Sequence, residues 1–188
     1  MKLTVLVDYQ VDFVHGSLGF PGAELLDEPI AARLEKNFAR GDYFVQTNDT
    51  HGDNYLETRE GKNLPVPHCY YKTEGWQTYG RTKEVIDNII AQDRCYVLGK
   101  VSFGVAPTRM VDFMDWLRDN NIRNRDVTEI EFMGLVSNIC VISNMAIFQA
   151  AFPQATITIN PTLTASFDPA AHEAVLTVMK GLQVKFID

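Results

Sequence analysis

The chain has 188 residues, a length that suits one domain with a substantial buried core. Its hydrophobic content of 46% and charged content of 22% are those of a globular protein. A net charge of −7 argues against nucleic acid as a partner, because contacts to phosphates need a basic surface. No apolar run approaches the roughly 20 residues that cross a bilayer, and Asp8 interrupts the apolar N-terminal segment, so we expect neither a membrane partner nor a signal peptide.

The first half of the chain predicts two strands, at residues 3–7 and 43–47, on either side of a helix at residues 27–40. Apolar residues recur at helical spacing in that helix. The next segment, residues 49–80, is rich in glycine, proline, histidine and aromatic residues. A loop this long inside a compact domain is usually functional.

The second half alternates helix and strand. The predicted helices are at residues 82–92, 107–119, 138–151 and 168–179, and the predicted strands are at 95–98, 127–134, 156–159 and 184–187. Strands separated by helices pair in parallel, and the helices then cover both faces of the sheet. The sequence therefore predicts an α/β fold in a single domain over residues 1–188.

Reactive residues follow three of the predicted strands. Asp8 follows the first strand, Lys100 follows the strand at 95–98, and Cys140 lies in the turn after the strand at 127–134. The carboxyl ends of parallel strands line one cleft, so we expect these three side chains to meet there. A thiol nucleophile, a carboxylate that takes its proton and a cation that holds negative charge would form a hydrolase with a covalent intermediate.

Each of these assignments has an alternative. Cys140 at a helix N-terminus would have its pKa lowered by the helix dipole, but a free cysteine is often only a small buried apolar residue. Asp12 competes with Asp8 for the role of base, and we favour Asp8 because it is nearer the strand end. Lys100 read alone would be a solvated loop lysine.

The cysteine count bears on the compartment. The three cysteines include Cys69, in the long loop, and Cys95, at a strand start. An odd number without a signal peptide argues against a disulfide framework and indicates a reducing, cytoplasmic location.

A candidate metal site lies in the long loop. Asp49, His51 and His68 together suit zinc or a similar divalent ion, and either Glu57 or Glu60 could add a fourth ligand. The alternative is that these histidines are simply exposed to solvent. The other two histidines, His15 and His172, have no partner pattern and are expected at the surface.

Five segments together resemble the isochorismatase-like cysteine hydrolases, the family that contains the nicotinamidases. They are Asp8-Tyr-Gln-Val-Asp-Phe13, Asp49-Thr-His51, Pro67-His68-Cys69, Lys100-Val-Ser-Phe-Gly104 and Gly134-Leu-Val-Ser-Asn-Ile-Cys140-Val. They follow the family order along the chain. The resemblance implies a three-layer α/β/α domain with a six-stranded, mainly parallel sheet.

The resemblance also implies roles for individual residues. Cys140 would be the nucleophile, Asp8 the base and Lys100 the third member of the triad. The backbone N–H groups of Val136 and Cys140 would form the oxyanion hole, after a cis peptide bond at Leu135–Val136. Phe13 would line the substrate pocket, and the metal would hold a pyridine nitrogen.

The activity that follows is hydrolysis of a small carboxamide, with nicotinamide the best single substrate. A carbamoyl or ureido amide, or isochorismate, is the alternative within the family, and Lys72, Val136 and Ser137 depart from the usual nicotinamidase pattern. A non-catalytic small-molecule binding protein on the same fold is the alternative of another class. Relatives in this family are commonly oligomeric, so we expect a homo-oligomer.

Overall fold

Six parallel strands form a single sheet in this protein. A computed structural model describes the chain from Met1 to Asp188. The strands are β1 (Lys2–Val7), β2 (Tyr43–Asp49), β3 (Cys95–Lys100), β4 (Glu129–Leu135), β5 (Thr156–Ala165) and β6 (Lys185–Phe186). Their order across the sheet is β3-β2-β1-β4-β5-β6, and every neighbouring pair is parallel. The predicted α/β fold class is confirmed.

Helices cover both faces of this sheet. They are α1 (Val11–Val14), α2 (Asp27–Arg40), α3 (Arg59–Asn63), α4 (Gly80–Ala91), α5 (Pro107–Asp119), α6 (Ile142–Ala151) and α7 (Pro169–Gly181). Side chains of α5, α6 and α7 share one hydrophobic cluster with the sheet, and side chains of α2 and α4 share a second cluster. The molecule therefore has the three layers that the family resemblance implies.

The alternation of side chains along β1 divides the core between these clusters. Leu3, Val5 and Val7 belong to the cluster beneath α5, α6 and α7, whereas Leu6 belongs to the other cluster. All four are buried, because successive residues of a strand point to opposite faces of the sheet. Asp8 comes next in the chain, at the end of a strand that is covered on both faces.

Several predicted boundaries differ from the structure. β2 and β3 run two residues further than expected and include Asp49 and Lys100. The helix predicted at 138–151 begins instead with a π-helical turn at Ser137–Val141, and α6 starts at Ile142. The long loop contains a 3₁₀ turn at Tyr55–Glu57 and the short helix α3.

Glu131, on β4, is buried, although glutamate side chains are mostly exposed in proteins. Arg33 Nε of α2 donates to its carboxylate at 2.6 Å, and Asn37 Nδ2 donates to it at 2.9 Å. A buried carboxylate needs such partners, and the sequence of β4 alone does not reveal them.

The topology brings four strand ends together. β1 lies between β2 and β4, and β3 lies beyond β2. In open parallel sheets the crevice at the carboxyl ends, where the strand order reverses, is the usual ligand site. None of the helices is long and apolar enough to cross a bilayer.

Candidate active site

Lys100 contacts both Asp8 and Cys140, the acid and the thiol that the sequence analysis identified. Its Nζ atom lies 2.7 Å from Asp8 Oδ2 and 3.6 Å from Cys140 Sγ. All three residues are buried. The structure thus brings together the three side chains predicted to meet, and the alternative of a solvated loop lysine is wrong.

The backbone and side chain of Thr47, on β2, fix Asp8 in place. The Asp8 N–H donates to Thr47 O at 3.1 Å, and Thr47 Oγ1 donates to Asp8 Oδ1 at 2.7 Å. Asp8 has a positive φ of 43°, in the left-handed region that aspartate tolerates better than most residues. One carboxylate oxygen therefore faces Thr47 while the other faces Lys100.

The electrostatics correct one expectation about Cys140. Burial raises the pKa of its thiol well above the usual value, although Lys100 acts in the opposite direction. The predicted lowering by a helix dipole is wrong, because desolvation is the largest effect on this buried sulfur and the cysteine lies in a π-helical turn rather than at the start of α6. Burial also raises the pKa of Asp8.

Lys100 carries the compensating charge. Burial opposes that charge, but Asp8, Cys140 and Asp49 outweigh it and raise the pKa of Lys100 well above its usual value. A charged lysine thus faces a carboxyl and a thiol whose pKa values are both raised. Asp8 and Cys140 contact the same ammonium group, so the carboxylate is placed where it could accept a proton from the thiol.

The turn that carries Cys140 is held by contacts from two other elements. The peptide bond between Leu135 and Val136 is cis, as the family resemblance implies. Asn144 Nδ2 donates to Cys140 O at 2.8 Å, and Ser137 Oγ lies 2.9 Å from His172 Nδ1 of α7. His172 was expected at the surface without a partner, and this contact corrects that expectation.

Four side chains form a compact cluster beside Lys100. One potential ligand atom from each of Asp49, His51, Glu60 and His68 lies within 4.8 Å of every other. Asp49 also connects the cluster to the triad, because Lys100 Nζ lies 2.9 Å from Asp49 Oδ1. Of the two candidate glutamates, Glu60 reaches the cluster, and Glu57 is exposed outside it.

The cluster fits a divalent cation. The Nε2 atoms of His51 and His68 lie 3.1 and 3.2 Å from the same oxygen, Asp49 Oδ2. His68 Nδ1 lies 2.8 Å from Val66 O, the kind of backbone contact that orients a ligating histidine. Both histidines are buried, so the alternative of solvent-exposed loop histidines is wrong. Two imidazoles with two carboxylates are a donor set suited to zinc and similar ions.

Burial and charge at the cluster agree with that fit. Burial opposes ionisation of Asp49, but Lys100 and the two histidines outweigh it and hold its pKa below the usual range. Burial and the nearby Asp49 raise the pKa of Glu60. Asp49 is thus an anion at neutral pH, available to a cation on the side that faces the histidines.

A cavity of about 430 Å³ opens onto both groups. Cys140 lines it together with three members of the cluster, Asp49, Glu60 and His68. Its wall is mainly apolar, formed by Phe13, Leu18, Leu64, Phe103, Val136, Ile139 and Phe167. The ring of Phe13 lies edge-on to the His68 ring, with centroids 5.6 Å apart. The cavity therefore suits a small ligand with an apolar ring and one polar group.

Sequence reasoning missed a buried amide that supports the site. Gln10 Oε1 accepts a hydrogen bond from the Asp49 N–H at 2.7 Å, and Gln10 Nε2 donates to Asp49 O at 3.0 Å and to Trp76 O at 2.9 Å. Both polar atoms of the amide are thus used to hold the strand end that carries Asp49. A glutamine between strand and helix was the available signal, but its partners lie 39 and 66 residues away.

Comparison with solved structures finds the same fold in other proteins. A nicotinamidase from Bacillus subtilis matches with a TM-score of 0.82 at 26% identity, and the match covers 100% of this chain and 99% of that chain. A pyrazinamidase of Pyrococcus horikoshii in complex with zinc has a TM-score of 0.78 at 20% identity, over 100% of this chain and 98% of its own. An isochorismatase family protein from Desulfovibrio vulgaris has a TM-score of 0.77 at 18% identity, over 98% and 92%.

No protein-family model matches the chain, and no curated protein matches it. The assignment therefore depends on the structural matches, which span the whole fold. These matches support assignment of the chain to the isochorismatase-like family. The resemblance noted in its sequence is confirmed.

Proposed function

We propose that the protein is a cysteine-dependent amidohydrolase that converts a small carboxamide, most favourably nicotinamide, to the carboxylate and ammonia. One observation carries the proposal: Lys100 Nζ lies within hydrogen-bonding distance of both Asp8 and Cys140, and Cys140 lines a largely apolar cavity. The amide-hydrolysing relatives named above support the reaction class.

In the first half-reaction Asp8 accepts the proton of Cys140, and the sulfur attacks the carbonyl carbon of the amide. The carbonyl π electrons move to oxygen, and the backbone N–H groups of Val136 and Cys140 stabilise that oxyanion. The oxyanion collapses, the C–N bond breaks, and Asp8 returns the proton to the departing nitrogen. Ammonia leaves and a thioester remains on Cys140.

In the second half-reaction Asp8 takes a proton from water, and the hydroxide oxygen attacks the thioester carbon. The C–S bond breaks and the sulfur recovers the proton from Asp8, which releases the carboxylic acid. Lys100 stays charged throughout. Its role is to stabilise whichever of Asp8 and Cys140 is negative, because only one proton is exchanged between them.

The metal belongs to substrate binding in this proposal. Asp49, His51, Glu60 and His68 would hold a divalent cation, zinc by preference, which would supply a Lewis acid for a ring nitrogen. Phe13, which contacts His68 edge-on, would lie against the ring of the substrate. These features favour a nitrogen-containing aromatic amide over an aliphatic one.

Ammonia release from nicotinamide tests the proposal, with Cys140→Ala as the decisive variant. We expect its turnover to fall at least about a thousandfold, because removal of the nucleophile leaves only binding and the oxyanion hole. Cys95→Ala is the matched control, since Cys95 is a buried cysteine at the other end of β3. Mass spectrometry of the wild type mixed with substrate should detect the thioester on Cys140.

The alternatives give different results in the same experiment. Turnover of a carbamoyl or ureido amide, or of isochorismate, in place of nicotinamide would assign another substrate within the family. Binding of nicotinamide without turnover by the wild type would favour a non-catalytic binding protein. Undiminished turnover by Cys140→Ala would refute the cysteine mechanism. A cytoplasmic location and a homo-oligomeric state stay predictions.

A further inference from the structure

Asp12 makes contacts that the proposed chemistry does not use. It lies in α1, between the triad residue Asp8 and the metal cluster in sequence, and was the rival candidate for the base. None of its hydrogen bonds reaches Lys100 or Cys140. Its Oδ2 atom instead accepts a hydrogen bond from the Cys69 N–H at 2.6 Å, and its Oδ1 accepts one from the Ser17 N–H at 3.4 Å.

Two glycines allow this carboxylate to approach the backbone so closely. A Cβ atom on Gly75 would lie 2.2 Å from Asp12 Oδ2, and one on Gly16 would lie 2.1 Å from Asp12 Oδ1. The Asp12 N–H also donates to Gly75 O at 3.0 Å. The carboxylate is therefore enclosed between the turn after α1 and the part of the long loop that follows the metal cluster.

The hydrogen bond to Cys69 acts directly on the metal cluster. The Cys69 N–H belongs to the peptide bond that joins it to His68, so Asp12 fixes the plane of the peptide beside a proposed ligand. Cys69 has a positive φ of 46°, in the left-handed region, and the charge-assisted hydrogen bond supports that conformation. With His68 Nδ1 beside Val66 O at 2.8 Å, both the backbone and the ring of His68 are held.

Asp12 also connects the cluster to the pocket wall. Phe13 is its neighbour in α1, and the Phe13 ring contacts the His68 ring edge-on. The Ser17 N–H donates a hydrogen bond to Asp12, and the Ser17 hydroxyl donates one to Pro67 O at 2.9 Å. The segment that carries the aromatic wall and the segment that carries His68 thus share one anchor.

We propose that Asp12 is a positioning residue that orients His68 for the metal and holds Phe13 against it, and that it takes no part in proton transfer. The inference rests on the proposed metal site, but it does not depend on which amide is the substrate. Partners that orient metal ligands typically contribute 10- to 100-fold to metal affinity. Asp12→Ala should therefore weaken Zn²⁺ binding by roughly 10- to 100-fold.

The experiment compares metal binding with thiol chemistry in the same variants. Zn²⁺ affinity is measured by competition with a chromophoric chelator, and Cys140 reactivity by the rate of iodoacetamide alkylation in metal-free protein. Asp12→Ala and Asp12→Asn should lose Zn²⁺ affinity and keep the alkylation rate. Asp8→Asn should change the alkylation rate, because it removes the acceptor of the thiol proton. Asp119→Asn, at an exposed aspartate that ends α5, should change neither.

Each other outcome has a defined meaning. Wild-type Zn²⁺ affinity in both Asp12 variants would overturn the inference. So would a parallel loss of Zn²⁺ affinity, alkylation rate and near-UV circular dichroism in Asp12→Asn, because Asp12 would then support the fold as a whole. Failure of the wild type to bind Zn²⁺ would overturn it together with the metal site. Normal Zn²⁺ binding by a wild type that hydrolyses no amide would refute the proposed function and leave this inference standing.

Discussion

Replacement of Lys100 by methionine tests the electrostatic centre of the site. Methionine nearly preserves the length of the side chain but removes its charge, and Lys100 is fully buried. Its ammonium group contacts Asp8 at 2.7 Å and Asp49 at 2.9 Å. The variant would leave two carboxylates in the protein interior without their shared cation.

The magnitude follows from the burial of these groups. Removal of one partner from a buried ion pair costs about 3–5 kcal/mol, because the remaining charge stays desolvated. With a urea m-value of about 2 kcal/mol per molar, the unfolding midpoint should fall by about 2 M. Turnover should fall at least about a hundredfold, as for loss of a group that stabilises negative charge in the transition state.

The assay is urea unfolding of metal-free protein at pH 7, followed by tryptophan fluorescence, together with ammonia release. Lys185→Met is the matched control, since Lys185 is an exposed lysine on β6. The double variant Lys100→Met/Asp8→Asn should recover part of the lost stability and none of the activity. The second substitution neutralises one of the two buried carboxylates that have lost their shared cation. The expected fall in the urea midpoint of Lys100→Met is about 2 M. A midpoint within about 0.3 M of the wild-type value would refute the reasoning.

Two further predictions concern a metal ligand and a structural pair. Glu60→Gln should weaken Zn²⁺ binding at least about tenfold, because Glu60 reaches the cluster. Glu57→Gln should leave Zn²⁺ binding unchanged. Equal effects of the two substitutions, measured by competition with a chelator, would contradict the proposed ligand set. Arg33→Met should lower the free energy of unfolding by about 3 kcal/mol, because it leaves Glu131 buried without its closest cation, and the turnover of the folded fraction should not change. A loss of turnover without a loss of stability would show that this pair serves the site instead.

The triad was predictable because it depends on topology. Asp8, Lys100 and Cys140 each follow an apolar run, and parallel strands bring such ends to one edge of a sheet. The proposed metal ligands were predictable as ligand types, since aspartate and histidine occur together near a strand end. The choice between Glu57 and Glu60 was not, because it depends on α3, a five-residue helix without a clear periodic signal.

The groups that hold the site in place had weaker signals. Thr47 is an ordinary residue in the sequence, and its partner Asp8 lies 39 residues away. Asn144, besides its bond to Cys140 O, accepts a hydrogen bond at 2.9 Å from the N–H of Val105, which also lies 39 residues away. The high pKa of Cys140 could not be predicted either, because it depends on how completely the surrounding layers exclude water from the sulfur. Local patterns identified the reactive side chains, whereas burial and long-range hydrogen bonds set their properties.

The strand order across the sheet has a consequence for how activity arises during folding. The reactive groups at residues 8, 49, 100 and 140 come from four different strand ends. A fragment that stops before β4 therefore lacks the proposed nucleophile, and one that starts after β1 lacks the proposed proton acceptor. Contacts between such distant parts of a chain form slowly. Catalytic competence should therefore emerge only when the four strands have assembled, which would make turnover a stringent reporter of complete folding.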